Sequence, residues 1–270
     1  MSISMDQVSS SQETYKQEGY YLSPYPVIPT DVIDRAVAGM DAIRAGEYDT
    51  GIPPLSSPWN PGDDPKAFCK IEMPQIASTG IYELVSHPAL GRFVADVTGA
   101  NMVQVWWVQL LYKPSIAPNT DQASSVGWHQ DRQYWKTWEE GSDLFTAWVA
   151  LSDVTGESGP MRFVRQSHQW GFLDQGDFYG QDHSAQQQEI KVPSGANWEE
   201  SPAILAPGEV SIHHCLTYHA SGPNYSNRPR RSLAIHMRSE KAFPREGIKE
   251  GLTGYLDRTS YCPTIYGTLP

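Results

Sequence analysis

The pattern of apolar and polar positions changes period near residue 100. Ahead of it, Ile33, Ala36, Val37, Met40 and Ile43 fall on one helical stripe. A helix over 31–45 is predicted, with Thr30 as its cap, Asp31 and Asp34 at its positive end and Gly46 to close it. A second helical block covers about 75–87, and Pro88 starts a short helix that ends at Gly99. Residues 1–14 are polar and serine-rich and predict a loose tail. Residues 15–28, with Gly19, Pro24 and Pro26, predict an opening strand with turns. Beyond residue 100 the apolar runs are short and β-branched or aromatic: 103–112, 145–151, 161–164, 203–205, 209–213 and 231–237. Turn residues separate them, among them Lys113-Pro114, Ser158-Gly159-Pro160, Pro207-Gly208 and Ser221-Gly222-Pro223. Many short strands punctuated in this way predict a mostly β sandwich or barrel with flanking N-terminal helices. The segments 47–66 and 171–198 read as long loops and, with Trp59, Trp170 and Trp198, as candidate lids. No repeat or composition break divides the chain. One domain over 15–270 follows: helical over 15–100, a β core over 101–240 and a C-terminal tail over 241–270.

Charge narrows the partners. Lys plus Arg is 20 and Asp plus Glu is 31, a net charge of −11. Broad nucleic-acid or anionic-membrane surfaces need clustered Lys and Arg, so neither partner is expected. Apolar residues at 39% with charged residues at 19% exclude a disordered chain. Cys69, Cys215 and Cys262 are scattered and form no C-x-x-C pair, which predicts reduced thiols in a cytoplasmic protein. The N-terminus lacks the basic start and apolar run of a signal peptide. The most apolar stretch, 103–112, carries Gln104 and Gln109 and falls well short of the ~20 residues of a membrane helix.

Candidate chemistry begins at Trp128-His129-Gln130-Asp131. In a strand, residues i and i+2 share a face, so His129 and Asp131 can offer a nitrogen and a carboxylate to one metal ion. An H-x-D pair is common by chance and under-coordinates a metal by itself. A third ligand must come from far along the chain, and His219, after the strand-like 210–215, is a candidate. Two histidines and a carboxylate on one face of Fe(II) leave positions open for substrate and O₂. Arg230, eleven residues beyond His219, can hold a carboxylate by a bidentate pair. His213 and His214 point to opposite faces of their strand and read as packing or supporting residues, as does His236. Cys215 near His219 lacks the orienting acid that a thiol nucleophile needs.

The ordered set of His129-x-Asp131, His219-x-Ser221-Gly222-Pro223-Asn224 and Arg230 resembles the phytanoyl-CoA dioxygenase family. The resemblance extends to Gln109-x-x-x-Lys113-Pro114 and 146–153, and spans about 15–240. It implies a double-stranded β-helix, a jelly-roll or cupin-like barrel, and an Fe(II)- and 2-oxoglutarate-dependent dioxygenase that also consumes O₂. His129, Asp131 and His219 would be the iron ligands. Arg230, helped by Ser221, would bind the distal carboxylate of 2-oxoglutarate, and Gln109 and Thr146 would face this co-substrate. Trp135 and Trp148 would shape the substrate pocket. The family's Pro-Gly-Ser-His stretch reads Arg165-Gln166-Ser167-His168 here, which puts Arg165 near the barrel mouth as a candidate contact for an anionic substrate group. A carboxylate ligand at Asp131 favours hydroxylation or another oxidative outcome over halogenation. The expected substrate is a small molecule; composition gives no support for a CoA thioester. Two alternatives stand beside this reading: a metal-binding jelly roll without oxygenase activity, and a zinc cupin-like hydrolase or isomerase.

Overall fold

A computed structural model describes residues 5–118, 124–245 and 251–269. Helices α1 (Met5–Glu18), α2 (Thr30–Arg44), α3 (Thr79–Val85) and α4 (Pro88–Thr98) lead into the β core. The strands are β1 (Tyr20–Leu22), β2 (Cys69–Glu72), β3 (Val103–Lys113), β4 (Val126–His129), β5 (Leu144–Ala150), β6 (Met161–Val164), β7 (Glu200–Pro202), β8 (Val210–His214), β9 (His219–Ser221), β10 (Arg230–Arg238) and β11 (Thr264–Tyr266). A further helix, α5 (His183–Glu189), lies in the long segment between β6 and β7. The larger sheet has the antiparallel order β1-β8-β5-β10-β3-β11, with β2 also pairing β3. The smaller one has the order β4-β9-β6-β7.

The larger sheet separates two environments. Alternate residues, including Val149, Ile212, Leu233 and Ile235, pack against α2, α3 and α4 in an apolar core. The residues between them, Thr146, Trp148, His213, Arg230, Ala234 and His236, line the space between the two sheets. On β3 the alternation is reset. His236 pairs with Trp107 and Met237 with Val105, so Trp106 is an extra residue, a β-bulge. Before it Val103 and Val105 face the helices; after it Val108 and Leu110 do. The bulge thereby turns Trp107, Gln109, Leu111 and Lys113 inward together.

Several sequence expectations need correction. The predicted N-terminal tail is a helix from residue 5 onward; residues 1–4 lie outside the described residues. Ser11, Tyr15 and Glu18 are buried, and the helix docks against α4. The polar face misled because this helix is held by docking rather than by its own hydrophobicity. The predicted strand at 15–28 keeps only Tyr20–Leu22. Thr30 does not cap α2: Pro29 holds the cap position, with no side-chain cap bond. The expected C-terminal tail is packed. Strand β11 pairs with β3, and Cys262 is fully buried beside Trp106; residues 246–250 and 270 lie outside the described residues. The strand predicted at 203–205 starts earlier, at Glu200, and Leu205 only bridges to Val154. Trp59 packs in the helix-side core under Arg44, so that part of 47–66 is no lid. No helix among the described residues is long and apolar enough to cross a membrane.

Candidate active site

His129 is the last residue of β4, and Asp131 opens the 3₁₀ turn that follows. The two therefore converge at a strand end rather than along a strand. His219 starts β9 and is the register partner of His129. One ligand atom from each of His129, Asp131 and His219 lies within 4.8 Å of the others, and all three residues are buried. Both histidine Nε2 atoms lie 3.7 Å from Asp131 Oδ1.

The tautomers follow from backbone contacts. His129 Nδ1 is 2.8 Å from the Gly127 carbonyl and His219 Nδ1 is 3.0 Å from the Thr217 carbonyl. A carbonyl only accepts, so Nδ1 carries the proton in each ring and the Nε2 lone pairs face Asp131 and one another. Burial, then the neighbouring His129, holds His219 well below the ordinary histidine range. Burial alone would raise the Asp131 carboxyl, but its histidine neighbours, with the hydrogen bond that His213 donates, hold it well below the usual carboxylate range. Its other oxygen, Oδ2, accepts from Thr146 Oγ1 at 2.9 Å and from His213 Nε2 at 3.2 Å. Thr146 Oγ1 is in turn 2.8 Å from His236 Nδ1. These contacts present Oδ1 to the histidines. His213 and His236 are thus supports of the carboxylate. A signal was present in the sequence, since both alternate with apolar residues on inward strand faces, but alternation does not say what a buried histidine meets.

Two chambers flank this cluster. The inner one is lined by Leu111, Trp148, Met161, Ser221, Arg230 and Ala234 around the triad. Arg230 and Lys113 are register partners on β10 and β3, and both are almost fully buried. Lys113 Nζ donates to Ser221 Oγ at 2.8 Å and to the Gly222 carbonyl at 2.6 Å. Arg230 donates one bond, to the Gly159 carbonyl, and its Nε is buried without a partner. Burial pushes the Arg230 guanidinium down to about 10. Burial, and then Arg230, holds Lys113 well below the usual lysine range. Gly159 has φ 67°, and a Cβ there would meet the Gly222 carbonyl at 2.3 Å, so only glycine lets this turn reach Arg230.

The outer chamber has a volume of about 230 Å³ and is lined by Lys70, Glu72, Trp107, Tyr134, Trp135 and Tyr179, among others. His129, Asp131, Gln109, Phe178 and His236 line both chambers. Phe178 is placed by backbone bonds: Gly127 N–H donates to its carbonyl, and its own N–H donates to the Tyr134 hydroxyl. Gly176, at φ 94°, allows the close approach to the Trp128 carbonyl. Residues 171–198 thus contribute Phe178 and Tyr179 to the outer wall, while Trp170 and Trp198 pack behind Trp128 and Tyr218.

The expected site residues fall together with one exception. His129, Asp131, His219, Ser221, Arg230, Thr146 and Trp148 surround the inner chamber; Gln109 sits between the chambers, and Trp135 is on the outer one. Arg165 is not at the mouth. Gln166 adopts φ 62° in place of the family's glycine, and Arg165 pairs with Glu18 at 2.8 Å and Glu199 at 2.6 Å. The carboxylate of Glu18 on α1 captures it, and that helix was not foreseen. Cys215 is buried, and burial raises its thiol, which removes it as a nucleophile. Lys70, Glu72 and Lys113 had drawn no attention as site residues.

The profile of the phytanoyl-CoA dioxygenase (PhyH) family matches residues 15–232. A probable alpha-ketoglutarate-dependent hypophosphite dioxygenase of Stutzerimonas stutzeri is 25% identical over 68% of the chain and 61% of its own length. The dioxygenase olcK of Penicillium canescens is 22% identical over 61% of the chain and 49% of its own length. The chain thus spans about half to three-fifths of these relatives. Among solved structures, the nogalamycin-biosynthesis epimerase SnoN, determined with Fe³⁺, alpha-ketoglutarate and nogalamycin RO, superposes with a TM-score of 0.68. It is 22% identical, over 91% of this chain and 89% of SnoN, and the likeness is one of fold.

Proposed function

Because the chain belongs to the phytanoyl-CoA dioxygenase family, we propose that it is an Fe(II)- and 2-oxoglutarate-dependent dioxygenase that oxidises a small-molecule metabolite. The observation that carries this reading is Arg230, a buried guanidinium on the chamber wall whose Nε has no partner. Among the described residues, Arg230 is the only lysine or arginine lining the inner chamber, Lys113 is buried beside it on Ser221, and the only acid lining the chamber is Asp131. Uncompensated buried charge is costly. A dicarboxylate with one end at the histidines and the other at Arg230 offsets it and fills the orphaned Nε position.

The donor set fits the metal. Two neutral imidazole nitrogens and one carboxylate oxygen converge on one side, and the other side opens on both chambers. His129 Nε2, Asp131 Oδ1 and His219 Nε2 would hold Fe(II). Bound there, iron with 2-oxoglutarate and O₂ supplies oxidation of a substrate C–H bond with release of succinate and CO₂. The rest is done by the chain. The Gly127 and Thr217 carbonyls fix the ligand tautomers; Thr146 and His213 aim Asp131. Arg230, with Lys113 and Ser221 beside it, orients the co-substrate. The indole of Trp148, beneath the Arg230 guanidinium, keeps that end dry. The substrate enters from the outer chamber, where Gln109, His129 and Asp131 form the shared wall.

A small oxyanion substrate, as named for the Stutzerimonas relative, is the weaker fit, because Glu72 already neutralises Lys70 at 3.2 Å in the outer chamber. A zinc hydrolase would leave Arg230 and Lys113 without a task. The three buried, unpaired cysteines support a reducing, cytoplasmic setting.

The test is succinate release from protein supplied with Fe(II), 2-oxoglutarate and O₂, alone and with candidate small molecules. The oxygenase reading expects slow succinate release without substrate that disappears in Arg230→Ala while bound iron is kept. Activity that needs zinc and ignores 2-oxoglutarate would favour the hydrolase instead.

A further inference from the structure

Strand β2 has two unlike faces. Cys69 and Ile71 are buried in the helix-side core, whereas Lys70 and Glu72 point the other way and line the outer chamber. A face turned toward an interior is ordinarily apolar. This one carries opposite charges held together: Lys70 Nζ lies 3.2 Å from Glu72 Oε1, and each side chain is only 13% exposed. Glu72 Oε2 accepts from Trp107 Nε1 at 2.6 Å, and Gln109, its register partner, brings its amide nitrogen to 3.5 Å from Oε1. Lys70 Nζ also sits 4.5 Å from the centroid of the Phe178 ring. The pair is thus fixed from several sides, and it lines the same chamber as His129 and Asp131.

We propose that Lys70 and Glu72 form a substrate clamp that selects a neutral ring compound bearing hydroxyl groups. Three features support that class. The pair has no net charge, so an anion or a cation must open it and leave a partly buried charge unmatched, and a zwitterion must break it to pair with both ends. A hydroxyl group donates to the free lone pairs of Glu72 and accepts from Lys70 with the pair intact. Trp107, Tyr134, Phe178 and Tyr179 give the chamber an aromatic lining suited to a ring. Size agrees. At the roughly 30 Å³ of a liquid water molecule, the chamber of about 230 Å³ holds the volume of about eight waters, which suits a ring system and not the body of a CoA thioester. The clamp deepens the oxygenase reading and rests on it for what becomes of the bound ring; the binding itself does not.

The experiment uses four nitroaromatic probes that quench tryptophan fluorescence, with Trp107 and Trp135 in the chamber as reporters. They are 4-nitrophenyl β-glucoside (neutral, hydroxylated), 4-nitrotoluene (neutral, apolar), 4-nitrobenzoate (anionic) and 4-nitrophenylalanine (zwitterionic). Each is titrated into the full chain, with and without Fe(II) and 2-oxoglutarate under anaerobic conditions. The glucoside is expected to bind tightest, and Glu72→Gln and Lys70→Met each to weaken it roughly ten- to hundredfold, as loss of a hydrogen bond to a charged group does. The two substitutions serve as independent variants, and their melting temperatures confirm folding. Equal or tighter binding of a charged or apolar probe overturns the clamp, as does an unchanged glucoside affinity in both variants or no saturable quenching by the glucoside. The visible band of the Fe(II)–2-oxoglutarate chelate, followed in the same samples, separates the two ideas. Probe binding without the band leaves the clamp standing and removes the oxygenase reading. The band without glucoside binding does the reverse.

Discussion

The two chambers share a wall and differ in electrostatic design. His129, Asp131, Gln109, Phe178 and His236 belong to both. On the inner side, Arg230 lines the chamber with Lys113 buried beside it, and among the described residues their partners are hydroxyl and carbonyl groups and no carboxylate. On the outer side, Lys70 and Glu72 cancel each other and aromatic rings supply the surface. Inner charge left open calls for an anionic ligand; outer charge closed on itself calls for a neutral one. One shared cluster can therefore serve a fixed co-substrate and a variable substrate without confusing them. The inner design is built into long central strands, β3 and β10, while the outer one rests on the four-residue β2 and on the loop that carries Phe178.

The difference can be broken in order of effect. Asp131→Ala removes the group both chambers share, and succinate release should fall by about three orders of magnitude or more, with iron binding lost. Arg230→Leu attacks the inner side alone. It removes the cation that lines the inner chamber, and the KM for 2-oxoglutarate should rise by about two to three orders of magnitude with little change in probe binding on the outer side. Thr146→Val cuts the bond to Asp131 Oδ2 without touching a ligand atom. Supporting bonds of this kind are worth about 10- to 100-fold in metal affinity, measurable by competition with a chelator.

The smallest effect lies outside both chambers and serves as a baseline. Burial depresses His214 to about 4 from the ordinary 6.5. A folded-state value below the unfolded one means that the unfolded chain binds the proton first. The contribution to stability is therefore whole above about pH 6.5 and is lost as pH falls toward 4. His214→Gln should remove that part of the acid loss, about 2 to 3 kcal/mol at pH 4.5, as read by urea unfolding of the variant and the wild type at pH 7 and pH 4.5.

Much of this arrangement was legible in the chain itself. The α2 stripe, the Pro88 start and Gly99 stop of α4, and the central strands β3, β5 and β10 carry long, regular periods, and they stand where expected. The triad and Arg230 were legible through the ordered set that resembles the phytanoyl-CoA dioxygenase family; the spacing of His129 and Asp131 alone leaves the third ligand open. What stayed hidden depends on contacts distant in sequence. The bulge at Trp106 switches which β3 residues face inward, and two adjacent tryptophans do not announce it. Strand β2 is four residues in a turn-rich stretch, too short for alternation to show that Lys70 and Glu72 point to the site. Helix α1 is ordered by α4, and Arg165 is diverted by Glu18, 147 residues away. Which group His236 supports is hidden in the sequence because its partners, Thr146 and through it Asp131, lie on other elements.

The inner chamber as a 2-oxoglutarate site is the central claim, and an anaerobic titration of metal-free protein with Fe(II) and 2-oxoglutarate tests it most directly. The chelate gives a weak visible metal-to-ligand charge-transfer band. The band should appear at one equivalent of each in wild type, vanish in His219→Ala, and in Arg230→Leu require far more 2-oxoglutarate. Binding of both components without a band, or a band that ignores Arg230, would contradict the account.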